Sequence, residues 1–380
     1  MLPKERVIEA LNHREPDRLP VGEIGIDSPI VEKVLGRKTY YRAKWRMFKA
    51  LWSGERNKVV DSWKKDIVDL VKKLGLDYVP VFLVPSKKKK IQKPKFINKY
   101  TWVDEEGNIW KYSPESQGWP ICIKHRKVNF LDELDEIEID ESQFELVRYV
   151  VDKLGKTHFI LGRGAGPSIL GEDTDGTFPE TGGLENFLIK MVTDPDFVKK
   201  ATEISTKKAI KIGKVLIQEG CDGILVDCDY CENRGPFMSP RYFREYIFPY
   251  LKMHCREFHK KGAYVIKHTD GNTWEILDQM IKAGIDAYQG IQLSAGMDIR
   301  KLKEKYAGRL CLFGGVDCET LIKGTRQDII KETEYAVRYG APGGGMVLGS
   351  GNTIMAGVKY ENYMTMLHIV KEKGAYPIRS

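Results

Sequence analysis

The chain has 380 residues, 42% of them hydrophobic and 30% charged, with a formal net charge of +8; that is enough apolar content for one large core at the upper end of single-domain size. No run approaches the roughly 18 apolar residues of a membrane span, and the opening Met1-Leu2-Pro3-Lys4-Glu5-Arg6 has no signal-type apolar stretch. Seven cysteines, an odd and scattered set, are not the dense framework of a secreted scaffold. The expectation is a cytoplasmic protein with reduced thiols and no membrane partner, forming a single domain over residues 1–380.

In chain order, residues 83–128 stand apart. Lys87-Lys88-Lys89-Lys90 reads as a solvated loop, with docking of an acidic partner protein as the alternative. Nucleic acid is disfavoured as a partner because no aromatics interleave with the lysines. The runs Lys99-Tyr100-Thr101-Trp102-Val103 and Ile109-Trp110-Lys111-Tyr112, separated by Asp104-Glu105-Glu106-Gly107-Asn108, predict a β-hairpin. This segment is taken as an insertion near the mouth of the main fold.

Beyond it, strand-like runs alternate with helical stretches, the signature of repeated βα units and a parallel sheet. Strands are predicted at 158–162, 223–227, 263–267, 287–289, 310–314 and 345–348. Asp194-Pro195-Asp196 predicts a helix start with an Asp cap and Pro in the first turn, running to about Gly220, and Ser239-Pro240 opens another in the same way. No Gly-x-Gly-x-x-Gly follows a first strand, so a dinucleotide fold lacks its fingerprint. The pattern fits an α/β protein of the (β/α)8 TIM-barrel class with a β-hairpin insertion.

In such barrels the chemistry lies at the carboxyl ends of the strands. Here those ends carry Asp227-Cys228-Asp229-Tyr230-Cys231-Glu232, then His268-Thr269-Asp270, then Gly314-Gly315-Val316-Asp317-Cys318, and Gly349-Ser350-Gly351-Asn352. Imidazole, thiol and carboxylate from separate strands suit a catalytic zinc with one open position, and the most economical ligand set is Glu232, His268 and Cys318. The same groups suit acid/base work without metal. Each also has a plain explanation: His268 satisfying a turn, Glu232 pairing with Arg234, a small buried cysteine, Asp317 capping the helix that begins near Glu319.

The order of motifs resembles the uroporphyrinogen decarboxylase superfamily over essentially the whole chain. It runs from Glu5-Arg6-Val7-Ile8-Glu9-Ala10-Leu11 and Glu15-Pro16-Asp17-Arg18-Leu19-Pro20-Val21, through Gly183-Leu184-Glu185-Asn186-Phe187-Leu188, Ser239-Pro240 with Pro249, and His268 with Gly271-Asn272. Gly315-Val316-Asp317 and Glu361-Asn362 complete it. The resemblance implies a (β/α)8 barrel. Decarboxylases of the family resemble one another in an Arg-Gln-Ala-Gly-Arg segment that grips the carboxylates of a tetrapyrrole; here Val21-Gly22-Glu23-Ile24-Gly25-Ile26-Asp27 has no arginine and two acids, which would repel that substrate.

The alternative branch is the corrinoid-dependent methyltransferases. Members acting on thiols resemble a His-x-Cys pair plus a later Cys on zinc; this chain has His268 but Asp270 and Ser350 in place of the cysteines. It is closer to the substrate-specific methyltransferases of O-demethylase systems, in which a Glu and a His spaced like Glu232 and His268 are the zinc ligands. The resemblance implies transfer of a methyl group from a methoxylated aromatic to Co(I) of cobalamin on a separate corrinoid protein.

On that reading His268, Glu232, Asp270 and Asp227 are catalytic, and zinc is the expected metal. Tyr230, Tyr264, Tyr288, Trp119, Phe237, Ser350 and Asp317 are candidate substrate contacts. Transfer from methylcobalamin to a small acceptor, or non-catalytic tetrapyrrole or corrinoid binding, are the alternatives, and the superfamily includes homodimers.

Overall fold

The computed structural model describes residues 1–89, 91–126, 139–163 and 183–378. Its centre is a parallel sheet of seven strands. In spatial order they are β1 (Tyr78–Val81), β6 (Phe159–Arg163), β7 (Gly223–Asp227), β10 (Tyr264–His268), β11 (Ala287–Ile291), β12 (Cys311–Val316) and β13 (Met346–Ser350). The two edges are joined by the chain at residues 20–22: Leu348 N–H donates to Pro20 O at 2.8 Å, Gly22 N–H to Leu348 O at 3.0 Å, and Asp77 N–H to Val21 O at 2.7 Å. That segment is the eighth stave, and it closes a (β/α)8 barrel. Side chains there would break the seam, since a Cβ on Gly349 would lie 2.2 Å from Gly22 O.

Alternation along the strands divides the core in two. Tyr78, Phe159, Leu161, Leu225, Ile266, Ala287, Phe313 and Val347 point into the barrel and pack on Val7, Ala10 and Leu11 of α1 (Pro3–Leu11), which plugs the amino end. The intervening Val79, Ile160, Ile224, Val226, Val265, Tyr288, Leu312 and Leu348 face the surrounding helices. Burying each large apolar side chain contributes roughly 1.5–3 kcal/mol relative to exposure. The next inward positions toward the carboxyl end, two residues beyond Leu161, Leu225, Ile266 and Ala287, are Arg163, Asp227, His268 and Gln289.

The predicted strands match within a few residues. The helix expected after Asp194 is observed as Pro195–Gln218, with the Asp194 carboxylate accepting from Phe197 N–H at 3.3 Å. The predicted hairpin is the centre of a larger unit, an antiparallel sheet of β2 (Lys95–Asn98), β3 (Thr101–Val103), β4 (Ile109–Lys111) and β5 (Ile121–Lys124). Its outer strands, four residues long and largely exposed, are too short to stand out in sequence. Trp102 and Trp110 pack beneath it with Trp45 and Trp52 of the helix Lys44–Trp52. A short antiparallel pair, β8 (Cys231–Glu232) with β9 (Gly235–Pro236), follows β7.

Candidate functional site

Strand register sets Asp227, His268 and Gln289 side by side on β7, β10 and β11. Gln289 is buried, and its amide nitrogen donates to the carbonyls of Ser350 at 3.3 Å and Asn352 at 3.2 Å. The amide oxygen therefore faces His268 Nδ1, which donates to it. This fixes the tautomer and leaves Nε2 directed at three carboxylates: Asp229 at 3.6 Å, Asp270 at 3.8 Å and Asp227 at 3.9 Å. Burial pulls the imidazole pKa down, but Asp270, Asp227 and Asp229, with the Gln289 bond, outweigh it and hold it above the ordinary value.

The three acids differ. Asp227 is paired with Arg163; burial raises its pKa, yet Arg163 and then His268 hold it below the ordinary carboxylate range. Asp229 is half exposed and accepts the Asp270 backbone N–H at 2.9 Å. Asp270 is partly buried; its Oδ2 accepts from Asn352, while Oδ1 is sealed from solvent and makes no hydrogen bond among the described residues. Burial, opposed by His268, pushes the Asp270 carboxyl up to about 6. A fourth acid, Glu23, one residue beyond the closing stave, is buried against Ser350, whose hydroxyl donates to it at 2.6 Å. Burial lifts it to about 8 in spite of that hydrogen bond, so it is largely protonated at neutral pH.

Asp229, His268 and Asp270 offer ligand atoms all within 4.8 Å of one another, and no other such group of three exists among the described residues. Of the expected ligands Glu232, His268 and Cys318, only His268 belongs to this group. Glu232 lies on the β8–β9 pair with its side chain exposed, and what it contributes is its carbonyl, which accepts Asn272 N–H at 2.9 Å. Cys318 begins the helix Cys318–Lys323, where its thiol contacts Thr353 O at 3.6 Å; burial, with Glu23 next, pushes the thiol up to about 12. The cluster suits a divalent cation: Nε2 is free, Oδ1 of Asp270 lacks a partner, and the donors are one nitrogen and several oxygens. An imidazole–carboxylate set without thiolate is compatible with zinc and with harder divalent ions.

Most of the candidate substrate contacts lie elsewhere. Tyr264 starts β10, at the opposite end of the barrel, beside Asn12 at 3.1 Å. Tyr288 points outward and is fully buried, its hydroxyl donating to Gly290 O at 2.8 Å. Tyr230 is fully buried, packed on Phe243 with the Lys267 ammonium 3.9 Å from its ring centroid. Phe237 is part-buried against the outer core and bonded through its N–H to Tyr230 O. Asp317 spends its oxygens on the N–H groups of Glu319 at 2.8 Å and Ser294 at 2.7 Å, the helix-cap role. Ser350 holds Glu23. Trp119 is part-buried, its ring 5.6 Å from both the Arg42 guanidinium and the Lys44 ammonium.

Those two cations pair with the buried Asp27, Arg42 Nε at 2.8 Å and Lys44 through its ammonium. The two acids of residues 21–27 thus present little net negative charge, one ion-paired and the other largely protonated, and they would repel an anion only weakly. The lack of the paired arginines in that segment stands. Sequence reasoning passed over Glu23, Arg163, Asp229 and Gln289 as working groups. Arg163 and Gln289 carried a signal, because each is two residues beyond an inward-facing apolar position.

An eight-staved α/β barrel with an imidazole–carboxylate cluster at its carboxyl mouth defines the class. Residues 114–373 match the family described as uroporphyrinogen decarboxylase (URO-D), and the chain belongs to that family. Among solved structures it is similar to a methyltransferase from Methanosarcina mazei, with 20% identity over 98% of this chain and 99% of that one and a TM-score of 0.69, a likeness of fold. Weaker likenesses are to a sugar phosphate isomerase/epimerase from Parabacteroides distasonis (13% identity, 85% and 92% covered, TM-score 0.39) and a chitinase from Chromobacterium violaceum (10%, 80% and 93%, 0.39). No curated protein matches the sequence. Among the described residues no helix is long and apolar enough to cross a membrane.

Proposed function

We propose that this chain is a methyltransferase that takes the methyl group of a methoxylated aromatic and delivers it to the Co(I) corrinoid of a separate protein, a co-substrate at the barrel mouth. The observation that carries the reading is His268, held at Nδ1 by Gln289, with its Nε2 ringed by Asp227, Asp229 and Asp270 without a thiolate. Such a site serves a departing oxygen better than it activates a sulfur nucleophile. The fold likeness to a methyltransferase supports the class of reaction.

As the methyl carbon is attacked in line, the carbon–oxygen bond breaks and its electron pair goes to the phenolic oxygen. Phenoxide leaves poorly, so a proton must arrive as the bond breaks. His268, its imidazolium favoured by the surrounding carboxylates, gives that proton from Nε2, and Gln289 keeps the ring aimed. Asp229, half exposed, connects the site with solvent and returns the proton. A divalent cation held by Asp229, His268 and Asp270 would take Nε2 as a ligand in place of that proton, and would supply Lewis acidity toward the same oxygen instead.

The test mixes the purified protein with a Co(I) corrinoid and a panel of methoxyarenes and methylamines, following the visible spectrum. Methyl-Co(III) formation from methoxyarenes is expected; silence with every donor overturns the reading. Metal analysis of wild type and His268→Ala is expected to show bound divalent metal lost in the variant, and equal, near-zero metal in both leaves the proton route alone.

A further inference from the structure

Arg42 stands out in the barrel mouth. It is one of three non-glycine residues with positive φ among those described, at +47°, and a second, Gln117 at +49°, belongs to the same cluster. Such backbone costs about 1–3 kcal/mol and concentrates at ligand sites. Gln117 contributes its carbonyl to Lys44 Nζ at 3.0 Å, so both strained residues serve one arrangement around Asp27. The Arg42 side chain is only 11% exposed. Its Nε is used on Asp27, while Nη1 and Nη2 donate to nothing among the described residues and are not sealed from solvent.

Two cations against one carboxylate leave this cluster net positive. Trp119 offers a ring at 5.6 Å from both cations, and Gly25 clears the space, since a Cβ there would lie 2.8 Å from Arg42 Nη1. The cluster adjoins the His268 site: Arg163, paired with Asp227, reaches Ile24 O at 3.4 Å, three residues before Asp27. The mouth is thus polar in two senses, carboxylates about His268 on one side and an unspent guanidinium fork beside an indole on the other. A planar fork matches a carboxylate at two points.

We infer that Arg42, backed by Lys44 and flanked by Trp119, is a carboxylate subsite for an aromatic acid, so that the methyl donor is a methoxybenzoate-type anion rather than a neutral ether. The inference rests on the proposed methyl transfer for the word donor, but the subsite itself is a matter of binding. The ligand's ring lies on Trp119, its carboxylate meets Nη1 and Nη2 of Arg42, and its methoxy group extends toward His268.

Isothermal titration of the full chain with benzoate, 3-methoxybenzoate and the neutral isostere 3-methoxybenzamide tests it. The carboxylate is expected to bind at least about tenfold tighter than the amide. Arg42→Gln is expected to abolish that preference, while Asp27→Asn, which frees Nε and leaves the fork, keeps or widens it. Equal binding of acid and amide by wild type, or an unchanged preference in Arg42→Gln, overturns the inference. Should Arg42→Gln not fold, Arg42→Lys keeps a cation for Asp27 but loses the two-point grip, so the preference is expected to fall by about threefold or more; an unchanged ratio overturns the inference.

Methyl transfer to cob(I)alamin is scored separately. A carboxylate preference with no transfer from any donor removes the transfer reading and leaves the subsite. Equal kcat/KM for 3-methoxybenzamide and 3-methoxybenzoate removes the subsite as a donor site and leaves the transfer.

Discussion

At the amino end of the barrel, Asp77 is fully buried and spends both oxygens: on Arg6 at 3.0 Å, on Arg18 at 2.9 Å through each oxygen, and on Val21 N–H at 2.8 Å. At the carboxyl end, Asp270 leaves Oδ1 sealed and unbonded, Glu23 is held protonated by burial, and Arg42 keeps its fork unspent. The residue types are alike and their satisfaction is opposite. A fully paired buried charge holds the fold closed, whereas an unpaired one is tolerated where something else is to be bound.

The largest expected effect falls at the satisfied end. Asp77→Ala strands two arginines and a buried N–H, and is expected to cost about 3–5 kcal/mol in urea unfolding; a loss under about 1 kcal/mol would break the contrast.

Glu23 supplies the next effect, through pH. Its pKa is raised in the folded chain from 4.5 to about 8, so the folded state keeps a proton that the unfolded state has released. Stability is then full below about pH 4.5, falls as pH rises, and levels off beyond about pH 8, by at most ~5 kcal/mol. Glu23→Gln is expected to flatten that slope and to be more stable than wild type at pH 8; parallel pH profiles would contradict it.

Smaller again is the effect of Gln289→Leu. It removes the acceptor for His268 Nδ1 and is expected to lower divalent-metal affinity or turnover by about 10–100-fold, at a modest stability cost. The smallest is Glu232→Ala, where an exposed carboxylate is removed; stability is expected to change by less than about 0.5 kcal/mol with metal content intact, and loss of metal would return Glu232 to the ligand set.

The sequence made the strand ends legible because apolar runs closed by polar residues are a local signal, and Asp227, His268 and Asp270 were read from it. It misled where side-chain direction mattered. Tyr264 reads as a substrate contact although it lies four residues before His268, at the far end of the strand, and Tyr288 does so although it is out of phase with the inward-facing Ala287 and Gln289. Applying the two-residue period to each strand excludes Tyr288 and draws attention to Arg163 and Gln289, whereas Tyr264, in phase with His268, is excluded by its place at the amino end of the strand. Asp27, Arg42 and Lys44 were not legible as a group, because their pairing depends on how a helix start, a strained turn and the helix Lys44–Trp52 meet in space. Asp229 rather than Glu232 completes the cluster because the β8–β9 pair carries Glu232 out to solvent.

The claim that the His268 cluster cleaves a methyl ether is tested most directly by following Co(I) loss and methyl-Co(III) appearance with 3-methoxybenzoate as donor, for wild type, His268→Ala and Asp270→Asn. The account predicts methyl-Co(III) from wild type and rates reduced by about 100-fold or more in both variants; wild-type rates in the variants, or no methyl-Co(III) from wild type with any methoxyarene, would contradict it.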